Sequence, residues 1–479
     1  MLASTADPTY RRLRHTGGAL AHSLSADAWR NSLDVRRADA VIAPSLRVGL
    51  AVLLTLVVGG LLGQPHLAGI AALGALSSAF ARHEPYRRLA GKVACAGAGV
   101  VGYVALGAAT GAAGMSMWAQ TAILAVAAGT AFWLLAAFRI TGPGAVIFVF
   151  AAAGAAGFAD TTADIGVLVA SAAAGAAVGW VIVMAPAVYH PYGPARVAVA
   201  RALAAVSALE TDGEAAIAPA RAALAKAREV IALDARRCHD AHTRELVALV
   251  DAATTVVDSG SRDTVRARRA DFARFESELR RVRRDIQIPQ GGVIPNDGVI
   301  PNDNMRVAAV DGFVCTGFRD LRDRAIVACA GRVVLASLLA GWIALAVGLE
   351  HPLWATMGAT AALQGTTYGH TVQRAIQRLL GNVAGAVLAA ALLAAALGYW
   401  PLVVVVVVLQ IAAELYATRN YALTSIAVTA MALLLTGLGA PIGPDIAISR
   451  VGDTAIGVVV GVVVAALTIA RGDRHHLRS

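Results

Sequence analysis

The chain has 479 residues, of which 57% are hydrophobic and only 15% are charged. A soluble domain carries about 25% charged residues, and the apolar residues here form long uncharged stretches, which excludes an ordinary soluble fold and predicts a polytopic membrane protein. The net charge of +10 does not indicate nucleic-acid binding, because basic and acidic residues are interleaved and membrane proteins keep Lys and Arg in their cytosolic loops. We therefore expect the lipid bilayer, and no nucleic acid, as a partner.

The first half of the chain predicts a tail and six membrane helices. Residues 1–43 are polar and lack the apolar core of a signal peptide, so we expect a retained cytosolic tail. Within 44–186, apolar segments lie at about 45–62, 66–81, 90–110, 117–138, 143–158 and 165–186. The second and fifth are shorter than the ~20 residues that a full crossing needs. We count both as crossings, because the basic loops then all fall on one side of the membrane.

The central residues 187–324 change character and predict a cytosolic helical domain. Charged, Ala-rich sequence indicates helices near 195–211, 213–234, 240–258 and 262–286. The last has apolar residues at heptad-like spacing, which fits packing inside its own bundle or a coiled coil with a second subunit. The hexapeptide Gly-Val-Ile-Pro-Asn-Asp then occurs twice in tandem, so 287–304 is predicted to be a turn-rich linker.

Six more apolar segments lie within 325–470, before a short cytosolic tail at 471–479. They cover about 325–348, 352–366, 374–397, 400–416, 421–438 and 446–470. With the N-terminus inside, the basic loops lie in the cytosol, and Glu350, Gly398–Pro401 and Pro441–Asp445 lie outside. The chain is thus predicted to cross the membrane twelve times with both termini cytosolic. Whether segments 66–81 and 352–366 span fully is left open.

The two halves carry matching sequence. Arg-Leu-Ala-Gly-Lys-Val-Ala at Arg88–Ala94 and Arg-Leu-Leu-Gly-Asn-Val-Ala at Arg378–Ala384 share five of seven positions. Each precedes a long Ala- and Gly-rich segment and follows a basic loop. The fold class predicted is all-α, with two parallel six-helix transmembrane repeats flanking a cytosolic helical domain and related by a pseudo-two-fold axis along the membrane normal.

No motif for catalysis, nucleotides or metals is present. A P-loop, HExxH, GxSxG and paired Cys/His spacings are absent, and the four cysteines show no CxxC spacing. We expect no enzymatic activity, no cofactor and no metal.

Charged residues inside the apolar segments are the candidate site residues. Arg47 and Arg332 occupy the same place in the two halves, either snorkelling to the surface or lining an anion-accepting cavity. Arg450 and Asp453 lie on one face at i,i+3, as a structural ion pair or as a proton- or substrate-coupled gate.

The second half also resembles a known family. Arg450-Val-Gly-Asp453-Thr-Ala-Ile-Gly457 resembles the Arg-x-x-Asp-Thr-x-x-Gly motif of the fusaric acid resistance protein-like family. The Arg378-Leu-Leu-Gly381 and Arg419-Asn-Tyr421 stretches are similar to that family as well, so Arg378, Arg419 and Tyr421 join the candidate site. The resemblance implies a bacterial inner-membrane transporter that exports aromatic or other organic acids, with distant kinship to plant malate channels.

From these observations we expect a multi-pass transporter of the bacterial cytoplasmic membrane. We expect it to export small organic (aromatic) acid anions with a proton gradient, and we expect its arginines to hold the carboxylate. A passive organic-anion channel remains an alternative, as does an envelope scaffold acting through the cytosolic domain. A second copy of the chain or an envelope protein is left open as a partner.

Overall fold

A computed structural model describes residues 8–35, 42–82, 84–234, 241–260, 262–281, 313–365, 367–438, 445–469 and 473. These residues form helices and no strand, which confirms the all-α class. The predicted linker at 287–304 lies outside the described residues, and so does the C-terminal tail apart from Asp473.

Twenty-one α-helices are described, and all twelve predicted apolar segments are among them. The N-terminal and first-half helices are α1 Pro8–Ser23, α2 Ala26–Leu33, α3 Ile42–Leu61, α4 Pro65–Ala75, α5 Tyr86–Ala112, α6 Met117–Ala137, α7 Val146–Ala156 and α8 Thr162–Met184. The central helices are α9 Pro186–Tyr189, α10 Gly193–Ser207, α11 Leu209–Asp212, α12 Ile217–Asp234, α13 Ala241–Ser259, α14 Arg262–Arg280 and α15 Phe313–Asp320. The second-half helices are α16 Arg324–Ala346, α17 Pro352–Ala362, α18 Tyr368–Ala394, α19 Tyr399–Tyr416, α20 Tyr421–Thr436 and α21 Asp445–Leu467.

Eight of the described helices are long and apolar enough to cross a membrane: α3, α5, α6, α8, α16, α18, α19 and α21. The chain is therefore a multi-pass membrane protein. The remaining four apolar helices are short, with 11 residues in α4, α7 and α17 and 16 in α20. These four are shorter than the ~20 residues of a full crossing, so twelve full crossings stay a prediction. Both halves share one order of helix lengths, because the second and fifth apolar helices are the short ones in each.

The chain divides into two compact units. One contains 1–81, 93–183 and 317–479 and holds most of the apolar helices. The other contains 82–92 and 184–316, and its second range nearly coincides with the predicted central domain at 187–324. Its core is a small helical bundle of α10, α12, α13 and α14, in which Val265, Phe272 and Leu279 of α14 are buried. Of the two arrangements left open for this helix, the structure has the packing inside its own bundle.

Small residues let the apolar helices approach closely, as membrane helix packing requires. A Cβ at Gly175 of α8 would overlap the carbonyl of Ala71 in α4, and one at Gly457 of α21 would overlap the carbonyl of Ala355 in α17. The sixth apolar helix of each half thus packs against the second. These glycines therefore serve helix packing.

Contacts between the halves are reciprocal. Helix α3 packs against α19, where Gly49 lies against Ile411, and α6 packs against α16, where Gly129 lies against Val334. The first apolar helix of either half therefore lies against the fourth of the other.

Helices α1 and α2 pack onto the second half, a feature that the polar N-terminal sequence did not indicate. The Tyr368 hydroxyl donates to the Ala19 carbonyl at 2.8 Å. The last turn of α2 is bonded through the Ser32 carbonyl, which accepts from Gln377 Nε2 at 2.8 Å and from Asn420 Nδ2 at 3.2 Å. The predicted tail is thus partly a structured element attached to α18 and to the start of α20.

Candidate functional site

Helix α18 carries a polar stripe along one face. Arg374, Arg378 and Asn382 are spaced four residues apart, so they lie one above another on the helix surface. The helix begins six residues before Arg374, with Thr367 as its N-cap accepting from the His370 amide at 3.4 Å. At ~1.5 Å rise per residue, Arg378 lies about 15 Å along the helix axis from its start. The guanidinium groups are thereby carried into the apolar part of the helix.

Arg374 is held by several partners. Its Nε donates to the Ala361 carbonyl at 3.1 Å and its Nη2 to Gln364 Oε1 at 3.0 Å. Its guanidinium carbon lies 4.0 Å from the centre of the Tyr421 ring, a cation–π contact. These contacts fix Arg374 at the end of α18 where the helix begins.

Arg378 is buried with few partners. The residue is only 4% exposed, and its Nη1 donates to Ser425 Oγ at the long distance of 3.3 Å. Its guanidinium also interacts with the Tyr421 hydroxyl. Its Nε has no hydrogen-bond partner. A charged donor without a partner in an apolar interior is costly and calls for a functional explanation.

Arg450 on α21 is buried more completely, at 2% exposure. Its guanidinium carbon lies 4.7 Å from the centre of the Trp354 ring, while its Nε and Nη1 have no hydrogen-bond partner. The charges of Arg378 and Arg450 act on each other, although the two residues are 72 positions apart in sequence (450 − 378). Two buried cations from different helices therefore share one region of the interior.

Asp453 lies on the same helix as Arg450, where its charge acts on that arginine, and it is fully buried. Within the described part of the chain, no ion pair of 4.0 Å or less joins it to Arg450, and its Oδ1 has no hydrogen-bond partner. Its Oδ2 accepts from Ser449 Oγ at 3.4 Å, and Ser449 Oγ lies 3.2 Å from His351 Nδ1. The direct ion pair, one of the two interpretations of the i,i+3 spacing, is thus not formed among the described residues.

A set of neutral polar groups holds the helices around the arginines. Asn382 Nδ2 donates to the Arg450 carbonyl at 3.3 Å, and Thr429 Oγ1 donates to Asn382 Oδ1 at 2.8 Å. Helices α18, α20 and α21 are thereby joined by side-chain hydrogen bonds inside the apolar unit. We call Arg374, Arg378 and Arg450 the arginine cluster.

The arginine cluster carries more positive than negative charge. Arg374 and Arg378 both contact Tyr421, and the charges of Arg378 and Arg450 act on each other. Arg378 and Arg450 keep donors without a protein partner. Guanidinium groups bind carboxylates and phosphates through charge-assisted hydrogen bonds, which are strongest where water is excluded. The arrangement can therefore bind a small anion, and Tyr421 and Trp354 place aromatic rings beside the two ends of the cluster.

Four of the seven sequence-predicted site residues lie at this cluster: Arg378, Tyr421, Arg450 and Asp453. The other three do not share a hydrogen bond or ion pair with it in the part of the chain that the structure describes. Arg419 is exposed, Arg47 is half-buried on α3, and Arg332 is half-buried on α16 with its Nε lacking a partner.

Sequence reasoning missed His351, Trp354, Asn382 and Ser449. The four-residue spacing from Arg374 through Arg378 to Asn382 could have marked the stripe on α18 in advance. No sequence signal connects His351 and Trp354 with Ser449 and Arg450, because they meet only through helix packing.

The corresponding first-half residues are neutralised by carboxylates. Arg88, which matches Arg378, forms an ion pair of 2.6 Å with Glu229. Lys92, which matches Asn382, pairs with Glu84 at 2.6 Å. Burial alone would raise the pKa of Glu229, but hydrogen bonds and charges from Lys226 and Arg88 outweigh burial and lower it. The excess of positive charge is thus a feature of the second half.

Comparison with known proteins agrees with the second-half motifs. Residues 339–464 match the family described as fusaric acid resistance protein-like, a range that contains Arg378, Tyr421, Arg450 and Asp453. The resemblance in the sequence is therefore confirmed for this region. Neither the comparison with curated proteins nor that with solved structures yields a match.

Proposed function

We propose that this protein exports small organic anions, of which aromatic acids are the best candidates, across the bacterial cytoplasmic membrane. The observation that carries the proposal is the pair of buried cations, Arg378 and Arg450, whose unpartnered donors lie inside a unit of membrane-spanning helices. Arg at the centre of a membrane helix costs about 2.5–3.5 kcal/mol on insertion scales, and such residues usually serve function. The family resemblance of residues 339–464 supports a transporter.

We further infer two parallel six-helix repeats, with both termini and the central unit in the cytosol. The matched order of helix lengths and the reciprocal contacts of α3 with α19 and of α6 with α16 support a pseudo-two-fold relation. Basic loops at Arg139 and Arg419 lie at equivalent helix connections and favour the cytosolic side for them. On this topology the His351 end of α17 faces outwards.

An aromatic carboxylate suits the arginine cluster. Its carboxylate can accept from the Arg378 and Arg450 donors, and its ring can lie against Trp354 or Tyr421. The energy source in this proposal is the proton gradient. Its electrical part, negative inside, drives an anion outwards by about 2.3 kcal/mol per charge for every 100 mV.

The test is flux through the purified full-length chain in proteoliposomes. Vesicles are loaded with radiolabelled benzoate, salicylate or 4-hydroxybenzoate, and efflux is followed with and without an imposed potential or pH gradient. We expect Arg450→Gln to abolish protein-dependent efflux, and the exposed Arg419→Gln to leave it unchanged. Absence of flux for every acid under every gradient overturns the exporter.

Further measurements on the purified full-length chain separate the alternatives. A passive channel gives single-channel currents in planar bilayers, and its flux shows no acceleration by unlabelled acid on the opposite side. A scaffold gives no flux in the full chain and loses its partners when the central unit is removed.

A further inference from the structure

A chain of three side chains leads from the outer end of the second-half helices to a buried carboxylate. His351 is half-buried at the start of α17, and its Nδ1 lies 3.2 Å from Ser449 Oγ. Ser449 Oγ in turn donates to Asp453 Oδ2 at 3.4 Å. Asp453 lies about 12 Å along α21 from the start of that helix, at ~1.5 Å per residue. Imidazole and hydroxyl groups both donate and accept protons, so this order can pass a proton inwards.

The end point of this chain is a carboxylate with unusual surroundings. Asp453 is fully buried, its Oδ1 has no hydrogen-bond partner, and it is not bonded directly to Arg450 one turn away. An ionised carboxylate in such a site is poorly compensated, whereas a protonated one loses the burial cost of its charge. Asp453 is thus suited to gain and lose a proton.

Among the charged groups that the structure describes, two act on Asp453 directly: Arg450 on its own helix and Glu350 just before α17. His351 reaches it through Ser449. The helix packed most closely on it, α17, has no titratable side chain between Pro352 and Ala362. On α18, Arg378 acts on Arg450 and so adds positive charge to the same region.

We propose that Asp453 is a proton-binding site filled from the outer end through His351 and Ser449, and that its protonation removes the negative charge that competes with the transported anion for Arg450. This inference rests on the proposed function, since it assigns Arg450 to the anion. The physical reason is competition: an ionised Asp453 and an anion are both attracted to one guanidinium, so a proton on Asp453 removes the competitor. The proton enters and leaves at the outer end only, so external acid activates anion binding, and the electrical potential, not proton transport, drives the anion outwards.

Trp354 contacts both the proton-accepting His351 and the anion-binding Arg450. Its ring stacks on His351 with centres 4.6 Å apart and planes inclined by 13°, and it also contacts the Arg450 guanidinium. Burial and the charge of Arg450 lower the pKa of His351, while Glu350 opposes that shift. A lowered pKa favours the neutral imidazole, which can pass a proton on.

The test uses benzenesulfonate as the probe, because a sulfonate stays ionised throughout the pH range. Its affinity for the full-length protein in detergent is measured by calorimetry between about pH 5.5 and pH 8. We expect binding about 10- to 100-fold tighter at the acid end, from the loss of one charge close to Arg450. In weakly buffered solution, binding at intermediate pH should take up about 0.5 to 0.8 of a proton per anion, a readout that needs no variant.

Variants locate the effect. Asp453→Asn should bind benzenesulfonate at every pH as tightly as the unmodified protein does in acid. Ser449→Ala should keep the affinity measured in acid but slow the response of reconstituted flux to an external acid jump, and Ser449→Thr should restore the speed. If the unmodified protein binds the probe with a pH-independent affinity, or if Asp453→Asn keeps the pH dependence, the proton site is wrong while the anion site stands. If no anion binds at any pH, the proposed function itself fails.

Discussion

Replacing Arg378 with methionine separates the effect of this buried cation on stability from its effect on anion binding. Met has a similar length and no charge, so it removes a buried cation without leaving a large cavity. Burying Arg in a membrane helix costs about 3 kcal/mol. Against this stand the 3.3 Å hydrogen bond to Ser425 and the contact with the Tyr421 hydroxyl, which together restore about 1–2 kcal/mol. The variant should therefore unfold with a free energy about 1–2 kcal/mol higher than that of the unmodified protein.

Binding should change in the opposite direction. A hydrogen bond to a charged group is worth about 1.5–3 kcal/mol, so loss of Arg378 should weaken anion affinity about 10- to 100-fold. The assay combines unfolding of the full chain in mixed detergent micelles with calorimetric binding of benzenesulfonate. Arg419→Met, at an exposed arginine, serves as the matched control and should change neither quantity. A less stable Arg378→Met protein with unchanged affinity would refute the assignment of this residue to anion binding.

Three further changes test the packing and the attached elements. Gly457→Ala should lower the unfolding free energy by about 1–3 kcal/mol, because the new Cβ overlaps the carbonyl of a facing residue. Gly452→Ala has open space around the new Cβ and should be neutral or stabilising, and thermal unfolding compares the two variants. Asn420→Asp keeps the acceptor that caps α20 but loses the donor that bonds α2, so hydrogen exchange in α2 should quicken while α20 stays protected. The lowered pKa of Glu229 supplies stability that is fully present above the unfolded pKa of about 4.3, and Glu229→Gln should remove it. The unfolding free energies of the variant and the unmodified protein should therefore differ at neutral pH and converge as pH falls through the lowered folded pKa.

The helices could be predicted from the sequence more fully than the ends of those helices. Uncharged runs located all twelve apolar helices, because burial in lipid and in the protein interior both demand apolar residues over the length of a helix. The run at 374–397 missed the first six residues of α18, since their sequence, Tyr-Gly-His-Thr-Val-Gln, is not apolar enough to be recognised by hydropathy. The N-terminal helices were expected to be a tail, because backbone carbonyls that accept from Gln377 and Asn420 leave no signature in sequence.

The sequence predicts which residue types form the site, but only partly which of these residues lie close together. Arg378, Arg450 and Arg332 all carry the same signal, a cation within an apolar segment. Which of them meet depends on how α18 and α21 pack, and this follows from small-residue contacts along their whole lengths. Pairing of the arginines in the two halves favoured Arg47 and Arg332, whereas the structure brings together two arginines of one half.

Photolabelling with 4-azidobenzoate tests most directly whether the arginine cluster is the anion site. The full-length protein in proteoliposomes is irradiated with the probe, with excess benzoate as competitor, and the modified residues are mapped by mass spectrometry. We predict competed labels on α18, α20 and α21 around Arg378 and Arg450, and their loss in Arg450→Gln. Competed labels confined to α3 near Arg47, to α16 near Arg332 or to the central helices would contradict the account.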